Sequence, residues 1–305
     1  MLIALIASLL AVASAISVMS FMSADKTAPP VEGPVRDGVD LGQRITDYTT
    51  RSVAQSGYLP PLPAQRRILA QGVGLYLDGR HSAAARRLAQ VDYRVVTYTD
   101  TVTGRRFAEV SDRAAEDRRG WGRVYIDLGA PAAWSVQVPH PVADAYSDAL
   151  GIGILRGTPG GVLVLAGAHR KAGGRDAADV AHRRDSVFHA ICAELTARRM
   201  PGIQVHGYAY RSAPDHDVIV STGVGDDART QAQEMARRLD KADFRVCRAW
   251  AEKCRLAGRT NTQGRLAAEQ GVPFLHIEMG RNVREDVKRR GQAIAAISAV
   301  VADWA

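Results

Sequence analysis

The chain has 305 residues, 46% hydrophobic, 24% charged and 6% aromatic, enough to bury a core as one large domain or a domain with a small companion. Ordinary apolar content without a long polar tract excludes disorder for most of it. The formal charge is +8 and the sequence pI about 9.7, nearly all from arginine. No basic run is interleaved with base-stacking aromatics, so a nucleic-acid partner is not expected, and anionic wall polymers or acidic substrates suit the charge better.

Residues 2–22 are uncharged and almost wholly apolar, and Ala13-Ser14-Ala15 supplies a small-x-small cleavage signature. That pattern predicts a secretory signal peptide or an uncleaved membrane anchor within 1–24, and a secreted or cell-envelope protein in either case. Residues 25–36 read as a Pro- and Gly-containing tether, and a second break falls at Tyr58-Leu59-Pro60-Pro61-Leu62-Pro63. A helical pattern over 64–89 is interrupted at Gly79, and residues 95–99 and 107–110 flank a Thr103-Gly104 turn as a hairpin. Residues 25–121 are therefore expected to form a small, mainly helical N-terminal region with one hairpin.

From 122 onward β-rich runs alternate with helical stretches. Strands are predicted over 124–128, 135–138, 162–166, 203–205, 218–221 and 274–277, and helices over 141–155, 186–199, 227–239 and 282–304, with Ser186 capping the second. The alternation implies an α/β fold with a mixed, largely parallel sheet covered by helices on both faces, spanning 122–305.

The histidines mark where chemistry would lie. His140, His169 and His206 each follow a predicted strand, and Glu278 follows another; in open α/β sheets the ligand crevice lies outside the carboxyl ends of the strands. In Val138-Pro139-His140-Pro141-Val142-Ala143-Asp144 a helical turn after Pro141 would put His140 and Asp144 on one face, and His206 would add a third donor from a different strand. Two imidazoles and a carboxylate suit Zn²⁺ with an open fourth position; the bland alternative is that His140 and Asp144 cap a strand and a helix. Glu278 is placed to act as general base and then general acid beside a metal-bound water, or to form a salt bridge with Arg281 or Arg284. Arg170 is open to an oxyanion or carboxylate role and equally to a solvated one. His182, Asp185 and Ser186 do not make a hydrolase triad, being crowded within five residues without a Gly-x-Ser-x-Gly elbow; this segment is expected in a substrate loop or a helix cap. Asn261-Thr262-Gln263-Gly264-Arg265 either lines the pocket or caps a short helix. Cys247 and Cys254, seven apart, would be about 10 Å apart on a continuous helix, so the disulfide expected in an oxidising compartment requires a break between them; Cys192 is expected as a buried free thiol.

The series Val138-Pro139-His140-Pro141…Asp144, Gly167-Ala168-His169-Arg170, Asp179-Val180-Ala181-His182…Ser186-Val187-Phe188-His189, Gln204-Val205-His206-Gly207, Thr260-Asn261-Thr262-Gln263-Gly264-Arg265 and His276-Ile277-Glu278-Met279-Gly280-Arg281 resembles secreted bacterial zinc-hydrolase-like proteins. These are similar to N-formylglutamate amidohydrolases and phage poly-γ-glutamate hydrolases and, more distantly, zinc carboxypeptidases. The resemblance covers roughly 122–304 and implies a phosphorylase/hydrolase-like fold with one Zn²⁺ on His140, Asp144 and His206. It also implies that Glu278 is the catalytic carboxylate. The carboxypeptidase pattern has a Glu three residues after the first His; here an Asp stands at four. The expected function is a zinc-dependent hydrolase of amide or peptide bonds with Arg170 assisting and His169, His182, Asn261, Arg265 and Arg281 binding a small amide, a peptide or an anionic polymer. The alternative is a non-catalytic wall- or polyanion-binding protein on the same scaffold.

Overall fold

A computed structural model describes residues 35–54, 57–114 and 119–305. Strand β1 (Val35–Val39) leads into α1 (Leu41–Ala54), then α2 (Pro63–Leu77) and α3 (His81–Ala89). The predicted 64–89 helix divides at Gly79, whose left-handed backbone (φ 71°) reverses the chain between α2 and α3. The predicted hairpin is β2 (Tyr93–Asp100) and β3 (Arg106–Asp112), followed by β4 (Arg123–Asp127), β5 (Trp134–Val138), α4 (Ser147–Gly157), β6 (Gly161–Leu165), α5 (Val187–Ala197) and β7 (Gly202–Tyr208). The chain closes with β8 (Val218–Ser221), α6 (Arg229–Lys241), β9 (Val246–Arg248), α7 (Thr262–Glu269), β10 (Phe274–Gly280), α8 (Arg281–Glu285) and α9 (Val287–Val301).

All described strands join one mixed sheet in the order β1-β2-β3-β4-β6-β5-β7-β10-β8-β9. Its centre, β6-β5-β7-β10, is parallel throughout, while β2-β3-β4-β6 and β10-β8 are antiparallel. The hairpin thus extends the same sheet through the β3–β4 pairing, and α2 packs against α5. Helices cover both faces, an arrangement consistent with a phosphorylase/hydrolase-like architecture. One face carries Val136, Val138, Ile203, Val205, Leu275, Ile277 and Met279 into a core shared with α1, α4, α6 and α9. The other carries Val162 and Val164 into a core shared with α2, α3 and α5.

Three expectations are corrected. The helix predicted over 141–155 starts only at Ser147: residues 140–144 form a single turn closed by Asp144 N–H to His140 O (2.8 Å), and Tyr146, at φ 67°, redirects the chain before α4 begins. The helix predicted over 282–304 breaks at Asp286, whose carboxylate caps α9 by accepting from Arg289 N–H (2.8 Å). Membrane anchoring is not supported: no helix among the described residues is long and apolar enough to cross a membrane, and the 2–22 segment lies outside the described residues.

Candidate metal centre

In β5, β7, β8 and β10 the face turned away from the core of Val136, Ile203 and Leu275 carries a patch of polar side chains. Ser135 and Gln137, Gln204 and His206, Ser221, and His276 and Glu278 occupy alternate positions there, all buried. Parallel register sets Glu278 beside His206, and His276 beside Gln204. His140, two residues beyond β5, comes to the same end of the sheet, and its ring lies edge-on to His206 with centroids 5.1 Å apart.

The single turn after β5 delivers Asp144 to these two histidines. Asp144 Oδ2 lies 3.6 Å from Nδ1 of His140 and 3.6 Å from Nδ1 of His206, and it accepts a hydrogen bond from Gly207 N–H (3.0 Å). At 3.6 Å neither imidazole contact is a hydrogen bond, and the buried Nδ1 of His140 has no other partner. The reason lies on the far side of each ring. His140 Nε2 is 2.8 Å from Asp179 Oδ1; a carboxylate only accepts, so in the neutral ring the proton sits on Nε2 and the Nδ1 lone pair is bare. For His206 the same result follows from a relay of amides. Gln263 Nε2 donates to the carbonyl of Val180 (2.9 Å), so Gln263 Oε1 accepts from Gln204 Nε2 (3.3 Å), which also donates to Gln137 Oε1 (3.0 Å). Gln204 Oε1 is left to accept from Asn261 Nδ2 and from His206 Nε2–H (2.7 Å), which again bares Nδ1.

Two imidazole nitrogens thus face one carboxylate oxygen, the donor atoms of the three residues lying within 4.8 Å of one another. Donors about 2.0–2.2 Å from a tetrahedral ion stand roughly 3.3–3.5 Å apart, close to the spacing found. Imidazoles whose second nitrogen is tied to a carboxylate or an amide oxygen are the usual surroundings of a metal, so the residues present fit a divalent transition-metal ion. Burial raises the Asp144 carboxyl pKa, but contact with the two imidazoles outweighs it and holds the group well below the usual carboxylate range. Burial pushes His206 down to about 4. Burial also lowers His140, yet Asp144 and Asp179 together leave it above its ordinary value.

Beside this trio, donor atoms of His206, His276 and Glu278 lie within 4.8 Å of one another. Burial, with the nearby charge of Asp144, raises the Glu278 carboxyl pKa well above the ordinary range. Among the described residues no cation stands within ion-pair distance of it: Arg281 pairs with Glu285 (2.6 Å), and Arg284 donates to backbone carbonyls. His276 stacks on His206 at 4.7 Å, its Nδ1 buried without a partner; a Cβ at Gly258 would collide with its ring, so only glycine fits in the loop above.

The remaining predicted residues separate into layers. Asp179 gathers His140, Arg170 (2.6 Å) and His182 (3.1 Å), and His182 also meets Thr260 Oγ1 at 3.2 Å; Arg170 is thus held by Asp179 at the margin of the site. His169 is half-buried and accepts from Lys171 N–H (3.2 Å). Asn261 caps α7 through Gly264 N–H (2.9 Å) and also supports Gln204. Arg265 is exposed and donates to Arg259 O (3.0 Å), and Arg281 is exposed on α8. Asp148, four residues past Asp144 and buried, is directed away from the trio and accepts from Thr49 Oγ1 of α1 (2.7 Å). Gln204 and His276 were not singled out as site residues, although polar alternation in strands buried on both sides was their signal; Asp179 lies in a loop and Gln263 on α7, where no such alternation points to them.

Cys247 and Cys254 form a disulfide with Cα atoms 5.9 Å apart, and Cys192 is a buried free thiol. Cys247 lies on β9, so no helix runs between the pair. Burial raises the Cys192 pKa well above its ordinary value.

No family model and no curated protein matches the sequence. Among solved structures the chain is similar to N-formylglutamate amidohydrolase from Ralstonia eutropha JMP134 (14% identity, 57% of this chain and 94% of that chain, TM-score 0.40). It is also similar to the ectoine utilization protein EutE (DoeB) from Ruegeria pomeroyi (13% identity, 63% and 64%, TM-score 0.39) and to LapA of Legionella (9% identity, 87% and 73%, TM-score 0.39). Likenesses of this depth assign nothing to individual residues here, and the site stands on its own geometry.

Proposed function

We propose that this protein is a zinc-dependent hydrolase of amide or peptide bonds, with His140, Asp144 and His206 as metal ligands and Glu278 as general base. The observation that carries the reading is the pair of bare Nδ1 atoms facing one carboxylate oxygen, each ring oriented from behind by Asp179 or Gln204. When bound, Zn²⁺ would polarise a scissile carbonyl and bring the pKa of a bound water to about 7. Glu278, buried and without a cation partner, takes a proton from the attacking water and returns it to the leaving nitrogen. Asp179 holds His140 in the required tautomer and is itself fixed by Arg170 and His182, which stand at the margin where a substrate enters. The positive charge of the chain and these margin residues suit a substrate bearing carboxylates, either a small N-acyl amino acid, a peptide or a segment of an anionic polymer. The disulfide suits an oxidising compartment outside the cytoplasm.

Two substitutions test the roles. His206→Ala removes a ligand, and both zinc and hydrolysis of N-acyl amino acids and peptides should be lost together. Glu278→Gln keeps the shape, so zinc should stay bound while turnover falls by about 10²–10⁴-fold. Wild-type turnover in Glu278→Gln contradicts the mechanism; zinc binding without hydrolysis of any amide in the wild type favours a binding protein.

A further inference from the structure

Arg284, on α8, is 4% exposed, and no carboxylate lies within ion-pair distance of it among the described residues. Its fork is spent on three carbonyls: Nε donates to Met279 O (3.1 Å), Nη2 to Tyr208 O (3.2 Å) and Nη1 to Ala145 O. Each carbonyl lies one or two residues past a residue of the site. Met279 follows Glu278, Ala145 follows Asp144, and Tyr208 lies two residues past His206. Gly207, between His206 and Tyr208, has no side chain, and a Cβ there would overlap the guanidinium; its N–H donates to Asp144 Oδ2 (3.0 Å).

We infer that Arg284 is the positioning residue of the metal centre, one guanidinium that fixes the segments bearing Asp144, His206 and Glu278 relative to one another. This rests on the reading of His140, Asp144 and His206 as ligands. The chemistry favours it over a general structural role. Burying a guanidinium without a carboxylate is costly, and elsewhere this chain supplies one: Arg123, its side chain 10% exposed, is paired with the buried Glu109. Only a planar fork donates in three fixed directions at once; a lysine ammonium on a flexible stem does not reproduce them. The 140–146 segment is a single turn rather than a helix, so Asp144 depends on outside contacts for its place.

The test is zinc affinity of the full chain, measured by chelator competition alongside the melting temperature of the metal-free protein. Arg284→Met, Arg284→Lys and Gly207→Ala should each weaken zinc binding about 10–100-fold, with Lys giving no rescue. Arg245→Met, which breaks the ion pair with Asp217, should lower the melting temperature and leave zinc affinity unchanged. If Arg284→Met does not fold, Gly207→Ala and Arg284→Lys carry the same comparison. Wild-type zinc affinity in a folded variant at 284 or 207 overturns the assignment while leaving the metal centre standing. Absence of zinc binding in the wild type overturns the metal centre itself.

Discussion

Two clusters of buried charge lie on opposite faces of the same sheet. On the face of Phe107 and Tyr125, Glu109 takes a bidentate pair from Arg44 (2.6 and 2.8 Å), a second cation from Arg123 (3.3 Å) and a hydrogen bond from Ser111 Oγ (2.9 Å). On the other, Asp144 faces two imidazole nitrogens that carry no proton toward it. Both carboxyl pKa values lie below their ordinary value even though burial raises them. The difference is in what is left over. The Glu109 oxygens are satisfied by donors, and the guanidiniums are further engaged by Tyr48 and Tyr98, at 3.9 and 4.4 Å. Around Asp144 lone pairs outnumber protons. A buried ionic cluster that closes on itself is a fastening, whereas one with converging lone pairs needs a cation to complete it.

The largest effect is expected of Glu109→Gln. Removing that charge leaves two half-buried guanidiniums unbalanced, and denaturant unfolding should show a loss of about 3–5 kcal/mol with zinc binding intact. Its pH signature is distinct. Because the folded pKa of Glu109 is depressed, the stabilisation is complete above the unfolded carboxyl value of about 4.3 and is lost as pH falls through the folded pKa. The acid limb of stability should flatten in the variant; an unchanged limb would assign acid unfolding to other carboxylates.

Next in size is the disulfide. Reduction, or the double substitution Cys247→Ala/Cys254→Ala, reopens a short loop, and the entropy model gives about 2–3 kcal/mol. Melting should shift while zinc affinity holds, since neither sulfur touches the metal trio. Peptide mapping of the oxidised chain should show these two cysteines linked and Cys192 alkylated only after unfolding.

Gln204→Leu reaches the site from behind. It removes the acceptor that fixes the His206 tautomer, so zinc affinity should fall about 10–100-fold, and stability should fall by about 1–3 kcal/mol as Gln137, Gln263 and Asn261 lose a partner. A full loss of stability with unchanged zinc affinity would make the amide relay a fastening like Glu109. Smallest is Arg281→Ala: its exposed i,i+4 pair with Glu285 contributes no more than about 0.5 kcal/mol. A rise in KM at unchanged melting temperature would place Arg281 on the substrate path, and an unchanged KM would remove it.

Much of this was legible in the chain. The strands ending near His140, His206 and Glu278 stood out because Val, Ile and Leu cluster there, and the rule that crevices lie at carboxyl ends gathered the right side chains. The two strands not foreseen, β1 and β9, are the two edges of the sheet. Each is short, β1 is interrupted by Gly38 at φ 72°, and an edge paired on one side needs little alternation. The turn carrying Asp144 read as helix because i,i+4 spacing survives in a single turn, while the left-handed Tyr146 that ends it has no signature in a tyrosine. The roles of Asp179 and Gln263 became visible only with tertiary structure, since which group faces which ring depends on the approach of α7 and of the 179–181 segment. His276 and Gln204 left a trace that could have been read: polar residues alternating through strands that a doubly covered sheet should make continuously apolar.

Zinc stoichiometry decides whether the lone pairs of His140 and His206 and the carboxylate of Asp144 make a metal site. The metal-stripped chain and His206→Ala would be equilibrated with zinc, freed of loosely held ion and analysed for metal. About one zinc per chain in the wild type, with a melting temperature raised as the ion stabilises the folded state, and none retained by His206→Ala is the result expected here. Equal metal in the two proteins, or none in either, would contradict it.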